Sequence, residues 1–293
     1  MSKMSRILII SPDIEGPVIN GGIGTAFTAL ADMLVQNNED VDILYTSGRY
    51  SESTHGFEHW NTIYKEYRIN LIQLAVDESL IIDAPHFRKQ SYQTYLWLKD
   101  NDKYDKIIGC EWQGALYYTL LAKKQGLNFN NTEIIINTHG SSMWADEGNY
   151  SLPRDQNHLE LYYLEQKCVE LADSVVSPSA YLIQWMRNKK WKLPFNTKVI
   201  FNCEPSLIFR TGKHPIVNED ENTEMEDTCY DGIELVFFGR LEIRKGLDLF
   251  IKSLKNFNLN NKNKISKITF MGKNIAIDGF DAMDFIDING FVE

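Results

Sequence analysis

The chain has 293 residues, of which 43% are hydrophobic and 12% aromatic. This content suffices for about two globular domains and excludes wholesale disorder. Thirty basic and forty acidic residues give a net charge of −10. Binding to nucleic acid needs a basic face that displaces counterions, so the charge argues against a general nucleic-acid-binding protein.

Cysteine spacing and hydropathy narrow the class of protein further. The four cysteines lie at positions 110, 168, 203 and 229, without a Cys-x-x-Cys pair. This spacing suggests neither a zinc site nor a redox motif, and no metal site is predicted. No apolar stretch approaches the roughly 18 residues of a membrane span. We therefore expect a cytoplasmic protein with reduced thiols.

Strand-like and helix-like segments alternate through the first two thirds of the chain. The apolar run Arg6–Ser11 predicts a buried strand, Gly21–Thr25 a turn, and the apolar spacing in Ala26–Gln36 a helix. Later strands are predicted at Val41–Thr46, Tyr67–Leu74, Lys106–Cys110, Glu133–Thr138, Ser174–Ser177 and Lys198–Phe201, and later helices near Phe87–Lys99, Ala115–Lys124, Leu159–Leu171 and Ala180–Asn188. The alternation predicts an α/β fold with a doubly wound, mostly parallel sheet, which binds ligands at the carboxyl ends of its strands.

An acidic segment at residues 205–231 interrupts this alternation and predicts a solvated linker. It separates an N-terminal domain, residues 1–204, from a second domain, residues 232–293. Strands are predicted there at Ile233–Phe238, Lys267–Met271 and Ile286–Val292, with a helix at Gly246–Lys255. These elements are too few to close a doubly wound sheet, so we expect the second domain to be incomplete.

The glycine-rich run Gly21-Gly22-Ile23-Gly24-Thr25 follows the first predicted strand. Glycines let a backbone approach a ligand, and the following helix offers free N–H groups to an anion. A dinucleotide fingerprint would need another glycine where Phe27 stands, so NAD binding is not expected. The run predicts a segment that faces phosphate or sugar; the alternative is a tight turn between strand and helix.

Three cations follow the predicted strand Ile233–Phe238. Arg240, Arg244 and Lys245 lie between that strand and the next helix. Cations near a helix N-terminus oppose the helix dipole, and a bound diphosphate would resolve this conflict. The pattern favours anion binding over a solvated turn.

Two more polar residues follow strands of the same predicted sheet. His139 comes after Glu133–Thr138, at the edge where ligands bind, although a lone histidine is often structural. Glu111 comes after Lys106–Cys110 and could orient an acceptor hydroxyl or cap the next helix, the cap being favoured on chemistry alone.

Two charged runs carry weaker predictions. The basic run at residues 187–192 surrounds Trp191 and could make weak contact with an anionic membrane surface, although a solvated helix end is the commoner interpretation. The acids Asp278, Asp281, Asp284 and Asp287 predict a solvated face rather than a calcium loop.

Together these motifs resemble the group-1 (family 4-like) retaining glycosyltransferases, which have two Rossmann-like domains, the GT-B architecture. The matching segments are Ile7–Pro12, Gly21–Thr25, Thr138–Gly140, Ala172–Ser179, Val199–Asn202, Phe238–Leu241 and Arg244–Leu247. The resemblance implies a nucleotide-diphosphate sugar as donor substrate, a glycan or lipid-linked acceptor, and neither cofactor nor metal. The match around Arg240 is the most specific of these.

The same resemblance implies roles for individual residues. Arg240 and Lys245 would neutralise the donor diphosphate. Gly22, Gly24 and Thr25 would approach the donor phosphate or sugar. His139 would contact the donor sugar near the reacting carbon, and Glu111 would orient the acceptor.

One departure from the family keeps alternatives open. The Glu-x7-Glu element of the family's second domain has no match here. The sequence thus predicts a glycosyltransferase with a truncated second domain. The alternatives are a non-catalytic remnant that binds a glycan or a partner protein, and a phosphosugar epimerase of the same architecture.

Overall fold

The computed structural model describes residues 5–18, 21–46, 55–75, 83–204, 233–260, 265–274 and 281–288. Contacts divide these residues into two units. The first holds the described residues within 5–143 and 153–204, and the second holds residues 144–152 and those from 233 onward. Residues 144–152 thus group with the second unit, although the predicted first domain included them. The predicted linker, residues 205–231, lies outside the described residues.

A seven-stranded parallel sheet forms the centre of the first unit. Its strands are β1 (Arg6–Ser11), β2 (Asp40–Tyr45), β3 (Ile69–Gln73), β4 (Lys106–Gly109), β5 (Glu133–Asn137), β6 (Ser174–Ser177) and β7 (Thr197–Val199). The spatial order is β3-β2-β1-β4-β5-β6-β7. The order reverses between β1 and β4, which confirms the predicted doubly wound topology and marks the switch point where such sheets bind ligands.

Helices follow most of these strands. In chain order they are α1 (Gly22–Gln36), α2 (Phe57–Glu66), α3 (His86–Asp100), α4 (Tyr117–Lys124), α5 (Ser142–Gly148), α6 (Gln156–Leu171) and α7 (Ala180–Asn188). The predicted helices in this region are confirmed to within a few residues, while α2 and α5 were not predicted. The predicted turn Gly21–Thr25 is wrong, because α1 already begins at Gly22. Gly21 is its N-cap residue, and its carbonyl accepts the Thr25 N–H at 3.1 Å.

The core of the first unit explains the continuous apolar run of β1. Ile7, Leu8, Ile9 and Ile10 are all at most 3% exposed, because both faces of the sheet are covered. Such runs are typical of central strands in parallel sheets. Each of these side chains contributes about 1.5–3 kcal/mol of burial free energy.

The second unit contains a parallel pair of strands with two helices. These are β8 (Ile233–Phe238), α8 (Leu247–Asn260), β9 (Ile265–Met271) and α9 (Ala282–Ile288). Its core consists of Phe237, Leu241, Leu247, Ile251, Ala282 and Ile286. Fewer strands are described here than in the first unit.

Helix α9 corrects the predicted strand Ile286–Val292. Residues up to Ile288 are helical, and those beyond it lie outside the described residues. Asp281 begins the helix by accepting the Met283 N–H at 2.7 Å. Ala282 and Ile286, four residues apart, are fully buried on one helical face. Asp281, Asp284 and Asp287 are exposed as predicted, and Asp278 lies outside the described residues.

Candidate functional site

The N-terminus of α1 lies at the carboxyl end of β1, beside the switch point. No side chain caps this helix, and its first turn carries no acid. Gly22 is exposed, and a Cβ there would meet nothing within 4 Å. Gly24 is buried, and a Cβ there would lie 3.2 Å from the backbone of Ile14. Gly24 is therefore needed for close packing of α1, whereas packing does not explain Gly22.

Gly24→Ala should lower the free energy of unfolding by about 1 kcal/mol, because its new methyl group crowds backbone that cannot rotate away. The matched control Gly22→Ala should be neutral or stabilising by a few tenths of a kcal/mol, since alanine restricts the unfolded chain. Urea unfolding followed by circular dichroism measures both changes. Equal stability of the two variants would contradict the packing argument.

The loop that carries His139 is fixed by Glu111. The His139 N–H donates to both carboxylate oxygens at 3.0 Å, and the Gly140 N–H donates to Oε1 at 2.7 Å. Gly140 has a φ of 102°, a left-handed conformation that favours glycine. Burial raises the pKa of Glu111 to about 7, against the effect of these N–H groups.

Glu111 does not form the helix cap that was favoured from the sequence. Its side chain is 0% exposed, and it forms no cap hydrogen bond to the following 3₁₀ turn, Trp112–Gly114. The carboxylate holds the backbone of another loop instead. Its role toward an acceptor stays a prediction.

The imidazole of His139 packs edge-on against Phe27 of α1, with ring centroids 5.3 Å apart. Its Nε2 is buried without a hydrogen-bond partner. Burial lowers the pKa of His139 to about 4, so the ring is neutral near pH 7. A neutral imidazole with an unsatisfied nitrogen can still form one hydrogen bond to a ligand group.

Glu165 of α6 is a second buried carboxylate that the sequence analysis missed. It accepts the Gln113 N–H at 3.0 Å, the Ser142 N–H at 2.6 Å and the Ser142 hydroxyl at 2.8 Å. Burial raises its pKa to about 8. Its place in the sequence could have indicated burial, because it lies on the same helical face as the apolar residues Leu161, Leu164 and Cys168.

These titrations predict how stability depends on pH. Glu111 and Glu165 have pKa values above the ordinary value of about 4.3, so folding takes up protons and stability rises as pH falls from about 8. His139 has the opposite sign, because the stability from its neutral ring is lost as pH falls from about 6.5 toward its lowered pKa. The midpoint of thermal unfolding should therefore rise as pH falls from about 8, and below about pH 6.5 the rise should continue more slowly, because the histidine offsets about one of the two carboxyls.

The control for this prediction is Glu165→Gln. This variant should show a smaller rise in the unfolding midpoint between about pH 8 and pH 6.5, where His139 contributes little. Scanning calorimetry across pH measures both proteins. A wild-type midpoint that stays constant through the neutral range would contradict the raised carboxylate pKa values.

The predicted cations of the second unit lie in the loop after β8. Arg240 and Lys245 are exposed, and neither forms an ion pair within the part of the chain that the structure describes. Gly239 and Gly246 flank them with φ values of 145° and 85°, conformations that favour glycine. Both cationic side chains can therefore reach an anion.

Arg244 has a different role within the same loop. Its Nη2 contacts Glu242 Oε1 at 2.6 Å, and its guanidinium lies 4.9 Å from the ring centroid of Trp144. Its backbone N–H donates to Asn149 Oδ1 at 2.8 Å. Arg244 thus joins residues 144–152 to the loop and differs from the two exposed cations.

Gly272 sets the shape of this cation loop, and the sequence analysis missed it. The Gly239 N–H donates to Met271 at 2.9 Å, and the Leu241 N–H donates to Lys273 at 3.0 Å. A Cβ on Gly272 would overlap the carbonyl oxygen of Gly239. Its place directly after a strand, like that of Gly239, was the available signal.

The basic run at residues 187–192 does not offer its indole to a membrane. Trp191 is buried and packs edge-on against Trp185 at 5.6 Å. Of the helices in the described ranges, none is both long and apolar enough to cross a bilayer. Within those ranges, no three His, Cys, Asp or Glu side chains cluster as metal ligands would.

No known protein family matches the chain, and no curated protein matches its sequence. Solved structures are similar in fold. The catalytic domain of starch synthase IV from Arabidopsis thaliana, bound to ADP and acarbose, has 13% identity and a TM-score of 0.54, over 92% of this chain and 69% of that one. This likeness and the parallel sheet identify a Rossmann-like GT-B fold, as the resemblance implied.

Two further structures have lower TM-scores. A UDP-glucosyltransferase from Polygonum tinctorium has 11% identity and a TM-score of 0.49, over 82% of this chain and 60% of that one. A UDP-glucose:anthocyanidin 3-O-glucosyltransferase in complex with UDP has 11% identity and a TM-score of 0.45, over 82% of this chain and 61% of that one. The chain spans less than two thirds of the length of these two.

Proposed function

We propose that this protein is a retaining glycosyltransferase of the family 4-like group. It transfers a sugar from a nucleotide-diphosphate donor to a glycan or lipid-linked acceptor, without a metal. The observation that carries this proposal is the pair of exposed cations, Arg240 and Lys245, at the carboxyl end of β8 in a GT-B fold. The similar starch synthase domain was solved with ADP, a nucleoside diphosphate, which supports this choice of donor.

The second unit binds the diphosphate in this proposal. Arg240 grips phosphate oxygens through its planar guanidinium, and Lys245 adds a point charge. Negative charge grows on the diphosphate as its bond to the sugar breaks. Fixed cations stabilise that charge more in the transition state than in the ground state, which accelerates transfer.

The first unit orients the sugar in this proposal. His139 accepts or donates one hydrogen bond near the reacting carbon through its neutral ring. The N-terminus of α1 approaches the donor with free backbone N–H groups that begin at the exposed Gly22, Thr25 lies in the same first turn, and Gly24 lets that helix pack in place.

Retention follows from attack on the face that the diphosphate leaves. The acceptor oxygen forms a bond to the anomeric carbon while the bond from that carbon to the phosphate oxygen breaks. The proton of the acceptor hydroxyl moves to the departing phosphate. The reaction needs no protein nucleophile, so the protein acts by positioning and charge stabilisation.

A panel of UDP-, GDP-, ADP- and dTDP-sugars tests the proposal by thermal shift. Binding to the folded state alone adds about 2.7 kcal/mol at a hundred times Kd. We expect one nucleotide class to raise the unfolding midpoint, and its radiolabelled sugar to move to an added glycan or lipid acceptor. A cooperative unfolding transition that no nucleotide sugar shifts would refute the proposal and favour a non-catalytic glycan-binding or partner-binding protein.

A further inference from the structure

Two buried carboxylates lie beneath the loop of residues 139–142. Glu111 accepts the backbone N–H groups of His139 and Gly140, and Glu165 accepts the N–H and the hydroxyl of Ser142. Both carboxylate side chains are fully buried. They come from separate elements, the end of β4 and helix α6, so the fold must bring them together beneath this one loop.

A titratable carboxyl at these two positions exceeds what a structural role requires. Neutral Asn, Gln or Ser side chains also accept hydrogen bonds from N–H groups, at a much lower cost of burial. Burial raises the pKa of Glu111 and of Glu165, and no cation among the described residues offsets it. Carboxyl groups with strongly shifted pKa values are enriched at functional sites.

The thiols and the imidazole beside the pair are neutral. Burial raises the pKa of the Cys110 and Cys168 thiols, which stay protonated, and His139 is uncharged near pH 7. Glu111 and Glu165 have pKa values of about 7 and about 8, so their charge changes near neutral pH.

This arrangement also decides which part of a ligand the loop suits. The N–H groups of His139, Gly140 and Ser142 point at the carboxylates, so they cannot bind a phosphate. A sugar presents hydroxyl groups instead, which do not depend on these backbone N–H donors.

We propose that Glu165 is a positioning residue of the transfer reaction. Together with Glu111 it holds the backbone of residues 139–142 with the N–H groups directed at the two carboxyls, so this loop suits the transferred sugar rather than the diphosphate. The inference rests on the proposed function. Glu165 touches no substrate and acts through Ser142 and the loop.

Glu165→Gln tests the inference, because glutamine keeps the shape but places an NH₂ group where an oxygen accepts an N–H. We expect kcat at about pH 9, where Glu165 is ionised, to fall on the order of 10²-fold through misplacement of the loop. The Kd of the donor should change less than about threefold, since the diphosphate is held elsewhere. Glu170→Gln is the matched control on α6, because its carboxylate pairs with the Lys167 ammonium, accepts the backbone N–H of Lys192, and does not contact the loop. An unchanged kcat in Glu165→Gln would overturn the inference.

The pH profile adds a second kinetic readout. Burial raises the pKa of Glu111 to about 7 and that of Glu165 to about 8. A protonated carboxyl accepts N–H groups less well, so wild-type kcat should fall as pH is lowered through this range. Glu165→Gln should flatten that limb of the profile, and Glu170→Gln should retain it. A limb of the same steepness in Glu165→Gln would count against the inference.

Amide NMR of the ligand-free protein separates this inference from the proposed function. The Ser142 amide proton should resonate far downfield in the wild type and move upfield in Glu165→Gln, while the Gly140 amide stays in place. A Ser142 resonance that does not move refutes the loop contact. A wild-type protein that binds no nucleotide sugar refutes the proposed function, whereas donor turnover with the same kcat in wild type and Glu165→Gln refutes this inference alone.

Discussion

The double variant Arg240→Ala, Lys245→Ala should bind the nucleotide-sugar donor about 10²–10⁴-fold more weakly, since hydrogen bonds to charged groups contribute about 1.5–3 kcal/mol each. Each single variant should lose about tenfold to a hundredfold. The fold should be unaffected, because both side chains are exposed. Isothermal titration calorimetry with the nucleotide class found in the panel measures the loss.

Two controls make this result specific to the diphosphate. Lys252→Ala removes a cation of the same unit that pairs with Asp248 at 3.3 Å on α8, and should leave donor affinity unchanged. Arg244→Ala removes contacts to Glu242 and Trp144 and should lower the stability of the second unit. Donor affinity that is equal in the double variant and the wild type would remove the donor site from this loop.

Local sequence patterns predicted most of the first unit. The strands Arg6–Ser11 and Ser174–Ser177 have the predicted bounds, because buried parallel strands read as short apolar runs between polar residues. Helix α1 begins earlier than predicted, because two glycines near its start obscured it. Helix α2 was not predicted, although its buried residues Trp60, Ile63 and Tyr64 have helical spacing in the sequence.

The second unit shows where local patterns fail. Ile286-Asp287-Ile288 alternates as a strand does, yet it forms the end of α9. The helix depends on the cap at Asp281 and on burial of Ala282 and Ile286 against distant residues. Such tertiary contacts override local propensity and cannot be read from a short segment.

The sequence placed three cations in the loop after β8 but could not distinguish their contacts. Nothing in the sequence separates the roles of Arg240, Arg244 and Lys245. Arg244 is distinguished by Asn149, which precedes it by 95 positions. Glu165 contacts Gln113 and Ser142, 52 and 23 positions away, so its role also required the fold.

Gly272→Ala should destabilise the second unit more than Gly24→Ala destabilises the first. The new Cβ would overlap the Gly239 carbonyl, and a backbone carbonyl cannot rotate aside as a side chain can. The ladder bonds from Gly239 to Met271 and from Leu241 to Lys273 must then lengthen or break. Overpacking of this kind costs about 1–3 kcal/mol, and more where backbone must move.

Hydrogen exchange of the β8 and β9 amides measures this loss directly, with Ser253→Ala on the exposed face of α8 as the control. The same variant should weaken donor binding, because the segment that moves carries Arg240. If Gly272→Ala protects these amides from exchange as well as Ser253→Ala does, the backbone at Gly239 can move without loss of stability, which would contradict the prediction. Reduced protection with unchanged donor affinity would separate the stability of this turn from anion binding. Loss of both is the expected result, since one backbone segment serves both the ladder and the donor site.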